Sequence, residues 1–139
     1  MNDSLIDTDI LTLYQHGHPA VCARCAAHPA GALHVSIISL EEQFSGWYTK
    51  LRRCRTAKDL ATAYERMTSF FSFVGKLSVL SFSEAAILRY EHLKSMKLNV
   101  GKKDLRIAAI AFEANAVLIT RNLRDFQRIP GLVIQDWSA

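Results

Sequence analysis

Acidic side chains stand at the ends of apolar runs in four separate parts of the sequence. They are Asp7, Glu42, Asp104 and Asp125. A carboxylate at the end of a buried element is costly to desolvate unless a cation, a hydrogen bond or a metal ion compensates its charge. If the fold brings these acids together, they repel one another, and a divalent cation would hold them ionised. Oxygen-only ligands favour Mg²⁺ or Mn²⁺ over zinc, and the pattern therefore predicts a metal site suited to phosphodiester cleavage.

Basic residues flank two of these acids. Lys102 and Lys103 precede Asp104, and three arginines surround Asp125, namely Arg121, Arg124 and Arg128. Cations beside metal-binding acids are suited to hold phosphate groups. A second basic cluster contains Lys50, Arg52, Arg53 and Arg55. Its simpler interpretation is a solvated helix end, and direct contact with nucleic acid is the alternative.

The composition indicates one ordered domain spanning residues 1–139. Half of the 139 residues are hydrophobic and 22% are charged, which is enough to form a core without extended disorder. The net charge of +4 is compatible with a polyanionic partner but does not require one. Three cysteines argue against a disulfide framework. The N-terminal residues lack a basic region, and we therefore expect neither a signal peptide nor a membrane span, and a cytoplasmic location.

The periodicity of apolar residues predicts strands alternating with helices. Strands are expected over 4–7, 33–38, 77–82, 116–120 and 132–137, and helices over 21–28, 57–74, 83–97 and 102–115. Before them, a helix carrying Ile10, Leu11 and Tyr14 is expected to be interrupted by Gly17 and Pro19. A further helix capped by Ser39 and a loop over 121–131 are also expected. The inner face of the helix over 57–74 is expected to carry Leu60, Tyr64, Met67, Phe71 and Val74. Such alternation is typical of the α/β class, here a three-layer α/β/α sandwich with a central, mostly parallel sheet. Functional residues gather at the carboxyl ends of such strands, which is where the four acids are expected.

Four segments together resemble one protein family. The segments LIDTDIL, SLEEQFSG, GKKDLRIAAIA and LITRNLRDFQRIPGL are similar, in this order, to motifs of the PIN-domain ribonucleases, specifically the VapC toxins of bacterial toxin–antitoxin pairs. The resemblance implies a small PIN-like α/β/α fold, dependence on Mg²⁺ or Mn²⁺, and endonucleolytic cleavage of RNA. It also implies a homodimer and inhibition by a VapB-like antitoxin.

Position by position, the resemblance places the family's first three acids on Asp7, Glu42 and Asp104. Its last motif falls on Thr120, Asn122 and Asp125, with Asn122 where many PIN domains carry another acid. Residues expected to bind substrate or to support the site are Thr8, Asp9, Lys102, Lys103, Thr120, Arg121, Asn122 and Arg124. Each acid also has a local interpretation, because Asp104 could cap its helix, Glu42 could favour a helix N-terminus and Asp125 could cap a turn.

Other functions have weaker support in the sequence. A group of Cys and His residues could bind zinc, namely His16, His18, Cys22, Cys25 and His28, but its cysteines are better explained as small hydrophobic side chains of a helix. Asp7 and Asp9 also match the opening of haloacid-dehalogenase-like phosphatases, in which the first Asp is a nucleophile. No late Asp pair or suitably placed Lys completes that pattern. A catalytically inactive PIN-like protein that binds RNA or serves as a scaffold is the non-enzymatic alternative.

Overall fold

A computed structural model describes residues 3–29 and 31–139 of the chain. In these residues five short strands form one sheet in the order β3-β2-β1-β4-β5. The strands are β1 (Ser4–Ile6), β2 (Leu33–Ser36), β3 (Ser78–Leu80), β4 (Val117–Ile119) and β5 (Ile134–Gln135). Every neighbouring pair is parallel, which confirms the predicted sheet. All residues of β1 and β4 are buried, as expected for central strands covered on both faces.

Helices cover both faces of the sheet. They are α1 (Thr8–Gln15), α2 (Pro19–Ala26), α3 (Ile37–Arg53), α4 (Ala57–Val74), α5 (Glu84–Ser95), α6 (Lys102–Glu113) and α7 (Leu123–Phe126). Leu5 and Leu118 pack on one face in a core with α5 and α6. Ile6 and Ile119 pack on the other face with α1 and α2. The alternation of adjacent strand residues between two cores produces the predicted three-layer sandwich. No helix in the described residues is both long and apolar enough to span a bilayer.

The start of α3 differs from the sequence prediction. Ser36, not Ser39, is the N-cap, because the Ser36 hydroxyl accepts a hydrogen bond from the Ser39 backbone N–H at 3.1 Å. The helix therefore begins at Ile37. Glu42 consequently lies beyond the first turn, and the attraction between an anion and the helix N-terminus does not explain its position.

The inner face of α4 was also predicted wrongly in part, although the bounds of the helix are confirmed and Val74 packs against the core as expected. Leu60, Tyr64 and Phe71 are 40%, 52% and 48% exposed, whereas Phe70 is 1% exposed. Apolar residues surround the C-terminal half of this helix, so that spacing alone does not select the face that packs on the sheet. The loop predicted over 121–131 contains the short helix α7.

Candidate active site

Residues from four distant segments line one cavity at the carboxyl ends of the central strands, and three of these segments contribute acids. Asp7 directly follows β1, Glu42 lies in α3 and Asp104 lies in the first turn of α6. The cavity has a volume of about 500 Å³ and is lined by Asp7, Thr8, Asp9, Glu42, Gly101, Lys102, Lys103, Asp104, Ile107 and Asn122. Parallel strands bring their carboxyl ends to one edge, which explains how residues far apart in sequence meet there.

Asp7 is the most buried acid of the site, with 7% of its surface exposed. It is the N-cap of α1, and its Oδ1 accepts a hydrogen bond from the Thr8 backbone N–H at 2.8 Å. Its Oδ2 accepts the Thr120 hydroxyl at 2.9 Å. Burial raises the pKa of Asp7 to about 6, and the charges of Asp9 and Asp104 add to the rise, while the two hydrogen bonds oppose it. The site therefore holds a carboxylate whose charge is only partly compensated.

Asp104 is half-buried in the same cavity. Gly101 is the N-cap of α6, and Asp104 therefore does not cap this helix. Burial raises the pKa of Asp104, and the nearby carboxylates of Asp125 and Glu42 raise it further, whereas Lys103 opposes the rise. Asp104 therefore lies within electrostatic range of both Asp125 and Glu42.

Glu42 is paired with a cation of the cavity. The Lys103 ammonium group donates a hydrogen bond to the Glu42 carboxylate. Within the described residues, no three carboxylate, imidazole or thiol groups converge closely enough to hold one ion. A metal ion shared by Asp7, Glu42 and Asp104 would therefore require these side chains to move closer together. The ion pair with Lys103 competes with such a move of Glu42.

Asp125 does not line the cavity and contacts it through Asn122. The Asn122 side-chain Nδ2 donates to Asp125 Oδ2 at 3.1 Å and lies 3.5 Å from Asp104 Oδ2. Arg128 Nη1 lies 3.4 Å from the other Asp125 oxygen. The Asn122 backbone N–H donates to the Thr120 hydroxyl at 3.0 Å, which fixes the turn after β4. Asn122 therefore links the last sequence motif to both Asp104 and Asp7.

The predicted supporting residues divide into two groups. Thr8, Asp9, Lys102, Lys103 and Asn122 line the cavity, and Thr120 lies fully buried behind Asp7. Arg121 and Arg124 are exposed and are not among the described residues that line it. The charge of Arg121 nevertheless acts on Asp9, where it opposes the rise in pKa that burial causes.

Sequence reasoning missed a buried hydroxyl network that joins two of the acid-bearing helices. Thr8 Oγ1 donates to Ser39 Oγ at 2.9 Å, and Ser36 Oγ donates to Ser39 Oγ at 3.3 Å. Both serines are fully buried. The network ties the start of α1 to the start of α3 and so sets the separation of Asp7 from Glu42. The signal in the sequence was a pair of serines three residues apart directly after an apolar strand.

The Cys and His residues considered for zinc have separate local contacts. His18 caps α2, with its Nδ1 accepting from the Val21 backbone N–H at 3.3 Å. His28 Nε2 and Ser4 Oγ are 3.0 Å apart. Cys25 is buried among apolar side chains, and burial raises the pKa of its thiol to about 11. A thiol with a raised pKa is a poor source of the thiolate that zinc requires.

Comparison with known proteins supports the arrangement seen here. No family model matches the chain. Ribonuclease VapC1 of Haemophilus influenzae strain R2866 is 29% identical over 140 residues, covering 96% of this chain and 97% of that protein. Ribonuclease VapC2 of Rickettsia felis is 35% identical over 70 residues, which is 48% of this chain and only 52% of that protein. The structure of VapBC-1 from nontypeable Haemophilus influenzae superposes with a TM-score of 0.75 and 26% identity over 98% of both chains.

The chain is similar to VapC ribonucleases in sequence and in fold over nearly its whole length. The family resemblance identified from four sequence segments is therefore confirmed. The similarity to VapC proteins agrees with the parallel five-stranded sheet and the helices on both of its faces.

The donor set of the cavity fits a hard divalent cation. The cavity offers carboxylate oxygens from Asp7, Asp9, Glu42 and Asp104 and contains no thiol or imidazole among its described lining residues. Such a set favours Mg²⁺ or Mn²⁺. The raised pKa values of Asp7 and Asp104 reflect burial and mutual repulsion, which a bound cation would relieve. The ionised carboxylates of this cavity would therefore be better compensated with a bound cation than without one.

Proposed function

We propose that this chain is a metal-dependent endoribonuclease whose active site is the cavity lined by Asp7, Glu42 and Asp104, and that it is the toxin of a toxin–antitoxin pair. The observation that carries the proposal is the meeting of these three acids, from three distant segments, in one cavity that also contains two lysines. The relatives described above bear the name ribonuclease, which favours RNA hydrolysis over a phosphatase reaction.

The residues have distinct roles in this proposal. Asp7 and Asp104 hold a divalent ion, with Glu42 joining them after it separates from Lys103. When bound, such an ion supplies positive charge to the scissile phosphate and makes a water molecule more acidic. Lys102 and Lys103 lie in the cavity wall and can bind non-bridging phosphate oxygens. Asp125 acts through Asn122 to orient Asp104, and Thr120 orients Asp7.

The partners follow from the same family. The solved relative from Haemophilus influenzae is a VapBC assembly, and we extend to this chain a VapB-like antitoxin as its inhibitor. We also propose, as the sequence led us to expect, that the protein forms a homodimer and is located in the cytoplasm. An antitoxin that inhibits this site must block either the acids or the lysines of the cavity, because these groups hold the ion and the phosphate.

The test is an RNA cleavage assay with matched variants. The parent protein is expected to cleave RNA with Mg²⁺ or Mn²⁺, to lose activity in EDTA and to regain it when metal is returned. Asp104→Asn, which keeps the side-chain shape, should lower the rate by more than about 100-fold, because even outer residues of metal sites contribute 10- to 100-fold. Glu91→Gln, an exposed acid on α5, is the matched control and should cleave normally. Cleavage that survives both chelation and Asp104→Asn would contradict the proposal, and RNA binding without cleavage in the parent would favour the scaffold alternative.

A further inference from the structure

A groove between α3 and α4 concentrates positive charge outside the acidic cavity. It has a volume of about 420 Å³, and its lining includes Lys50 and Arg53 from α3 and Lys58 and Arg66 from α4. Asp59 is the one acid among its described lining residues. None of the four cations forms an ion pair with a carboxylate in the part of the chain that the structure describes. Their charges are therefore available to an anionic ligand.

Trp47 forms one wall of this groove and orients one of its cations. The Lys50 Nζ atom lies 4.8 Å from the centroid of the Trp47 ring, within the range of a cation–π interaction. The interaction restrains a side chain that would otherwise sample many rotamers, and it reduces the entropy that Lys50 loses when a ligand binds. Trp47 Nε1 is buried and has no hydrogen-bond acceptor among the described residues.

The groove continues toward the acidic cavity. A second cavity of about 770 Å³ shares Trp47, Lys50, Thr62 and Arg66 with it and extends to Thr12 and Gln43. Thr12 lies one helical turn after Thr8, and Gln43 directly follows Glu42. Thr8 and Glu42 line the acidic cavity. Eight residues of α3 separate Glu42 from Lys50, which corresponds to about 12 Å along the helix axis. One polynucleotide strand can span that distance.

We propose that the α3–α4 groove is a second binding site for the RNA substrate, which holds phosphate groups of the strand away from the bond that is cleaved. This inference rests on the proposed function, because it assumes that the acidic cavity acts on RNA. Four positively charged side chains without ion-pair partners attract a negatively charged strand. Lys and Arg side chains are the usual partners of backbone phosphates. The site would raise affinity for RNA without contributing to the chemical step.

The positions of the apolar side chains favour RNA over a protein as the occupant of the groove. The exposed apolar residues of α4, namely Leu60, Tyr64 and Phe71, are absent from the described lining of both cavities. Protein interfaces use aromatic and apolar anchors at their centres, and these anchors lie elsewhere on α4. The surface suited to a protein partner is thus separate from the basic groove.

The first experiment measures RNA binding in EDTA, where the proposed cleavage cannot occur. The probe is a fluorescein-labelled single-stranded RNA, and its affinity is measured by anisotropy over a range of salt concentrations. Arg53→Gln combined with Lys58→Gln should reduce the slope of log K against log salt by about 1.4, since each phosphate contact on a single strand contributes about 0.7. The control combines Lys76→Gln with Lys94→Gln, which removes the same charge from exposed positions outside the groove, and it should keep the parent's slope. Equal slopes for the groove variant and the control would overturn the inference.

The second experiment separates the groove from the active site by substrate length. With Mg²⁺, the groove variant should cleave a long RNA with a KM raised about two- to tenfold and an unchanged kcat, because loss of uniform binding raises KM alone. Cleavage of a dinucleotide, which cannot reach from the acidic cavity to the groove, should be unchanged. Unchanged KM on the long RNA would refute the groove while leaving the nuclease intact. A parent protein that does not cleave RNA, but whose binding slope falls in the groove variant, would refute the proposed function and leave the groove as an RNA site.

Discussion

The Thr120 hydroxyl donates a hydrogen bond to Asp7 Oδ2 across 2.9 Å, between two buried residues that are 113 positions apart in the sequence. The contact joins the end of β4 to the end of β1, which are neighbouring parallel strands. This hydrogen bond favours the ionised form of Asp7, because a donor that contacts the charged form lowers the pKa of a carboxyl group. The pairing of β1 with β4 therefore places the donor that lowers the pKa of Asp7 beside the acidic cavity.

Replacing Thr120 by Val should destabilise the metal-free protein by about 1–3 kcal/mol at about pH 8, because a buried carboxylate loses its donor without a change of shape. The penalty should be smaller at about pH 4, where Asp7 is protonated. Urea unfolding in EDTA at the two pH values measures both quantities. Thr120→Ser keeps the hydroxyl and is the matched control. A Thr120→Val penalty that is equal at both pH values would show that the charge of Asp7 does not contribute to it and would contradict the prediction.

The stability of the metal-free protein should fall as the pH rises through about 6. The pKa of Asp7 is raised from 3.8 to about 6 in the folded state, so the folded protein binds a proton that the unfolded chain has already released. The resulting stabilisation is complete below about pH 4 and is lost through about pH 6, and it amounts to about 3 kcal/mol at 1.36 kcal/mol per pKa unit.

Asp7→Asn removes the titratable group. The difference in unfolding free energy between the parent and this variant therefore reports the titration of Asp7 separately from that of other groups. The free energy of unfolding of the parent minus that of Asp7→Asn, measured in EDTA, should therefore decline between about pH 4 and pH 8. Saturating Mn²⁺ should reduce the decline in the parent, since a bound cation favours the ionised carboxylate. A difference that stays constant with pH would contradict the assigned pKa.

The sequence predicted much of the fold because the patterns that determine it are local. Short apolar runs alternate with amphipathic segments, and parallel pairing follows from that alternation. The start of α3 was missed because two serines competed as caps, and Ser36 forms the cap while Ser39 faces the buried Thr8 hydroxyl. The packed face of α4 was missed because the apolar residues near Phe70 and Phe71 lie on more than one side of the helix. Tertiary contacts select between such equivalent local choices.

Lys103 should compete with a divalent ion for Glu42. Lys103→Gln removes the cation that holds the Glu42 carboxylate, and the affinity for Mn²⁺ should rise roughly two- to fivefold, in line with the modest strength of a partly exposed ion pair. Lys102→Gln is the control, because Lys102 lines the same cavity but does not pair with Glu42 in the structure. Isothermal titration with Mn²⁺ measures both variants. A rise of the same size in Lys102→Gln would point to a general loss of positive charge instead of to the pair.

Asn122→Asp should make the thermal stability of the protein depend more strongly on a bound metal ion. The substitution replaces an amide donor between Asp104 and Asp125 by a third carboxylate, which increases repulsion in the metal-free site by on the order of 1 kcal/mol. The melting temperature in EDTA should fall, and the increase caused by Mn²⁺ should become larger than in the parent. Asn115→Asp, an exposed turn residue at the opposite end of α6, is the control. A smaller response to Mn²⁺ in Asn122→Asp would show that the amide itself is needed to arrange the acids.

The sequence indicated most of the residues that line the cavity, but it did not show that Asp125, Arg121 and Arg124 lie outside its lining or how the site residues pair with one another. The order of the four motifs indicates which acids belong together, and the parallel sheet explains why they meet. The Glu42–Lys103 pair and the bridge formed by Asn122 depend on rotamers of side chains from different elements. No spacing rule specifies such contacts, because they are decided after the helices have packed.

Equilibrium binding of Mn²⁺, followed by the EPR signal of the free ion, tests most directly whether the distant acids share one cation. Asp7→Asn and Asp104→Asn should each weaken binding by more than about 10-fold, whereas Glu91→Gln should bind as the parent does. If Mn²⁺ binds both acid variants with the parent's affinity, then the acids do not form a common metal site and the proposed nuclease mechanism is wrong.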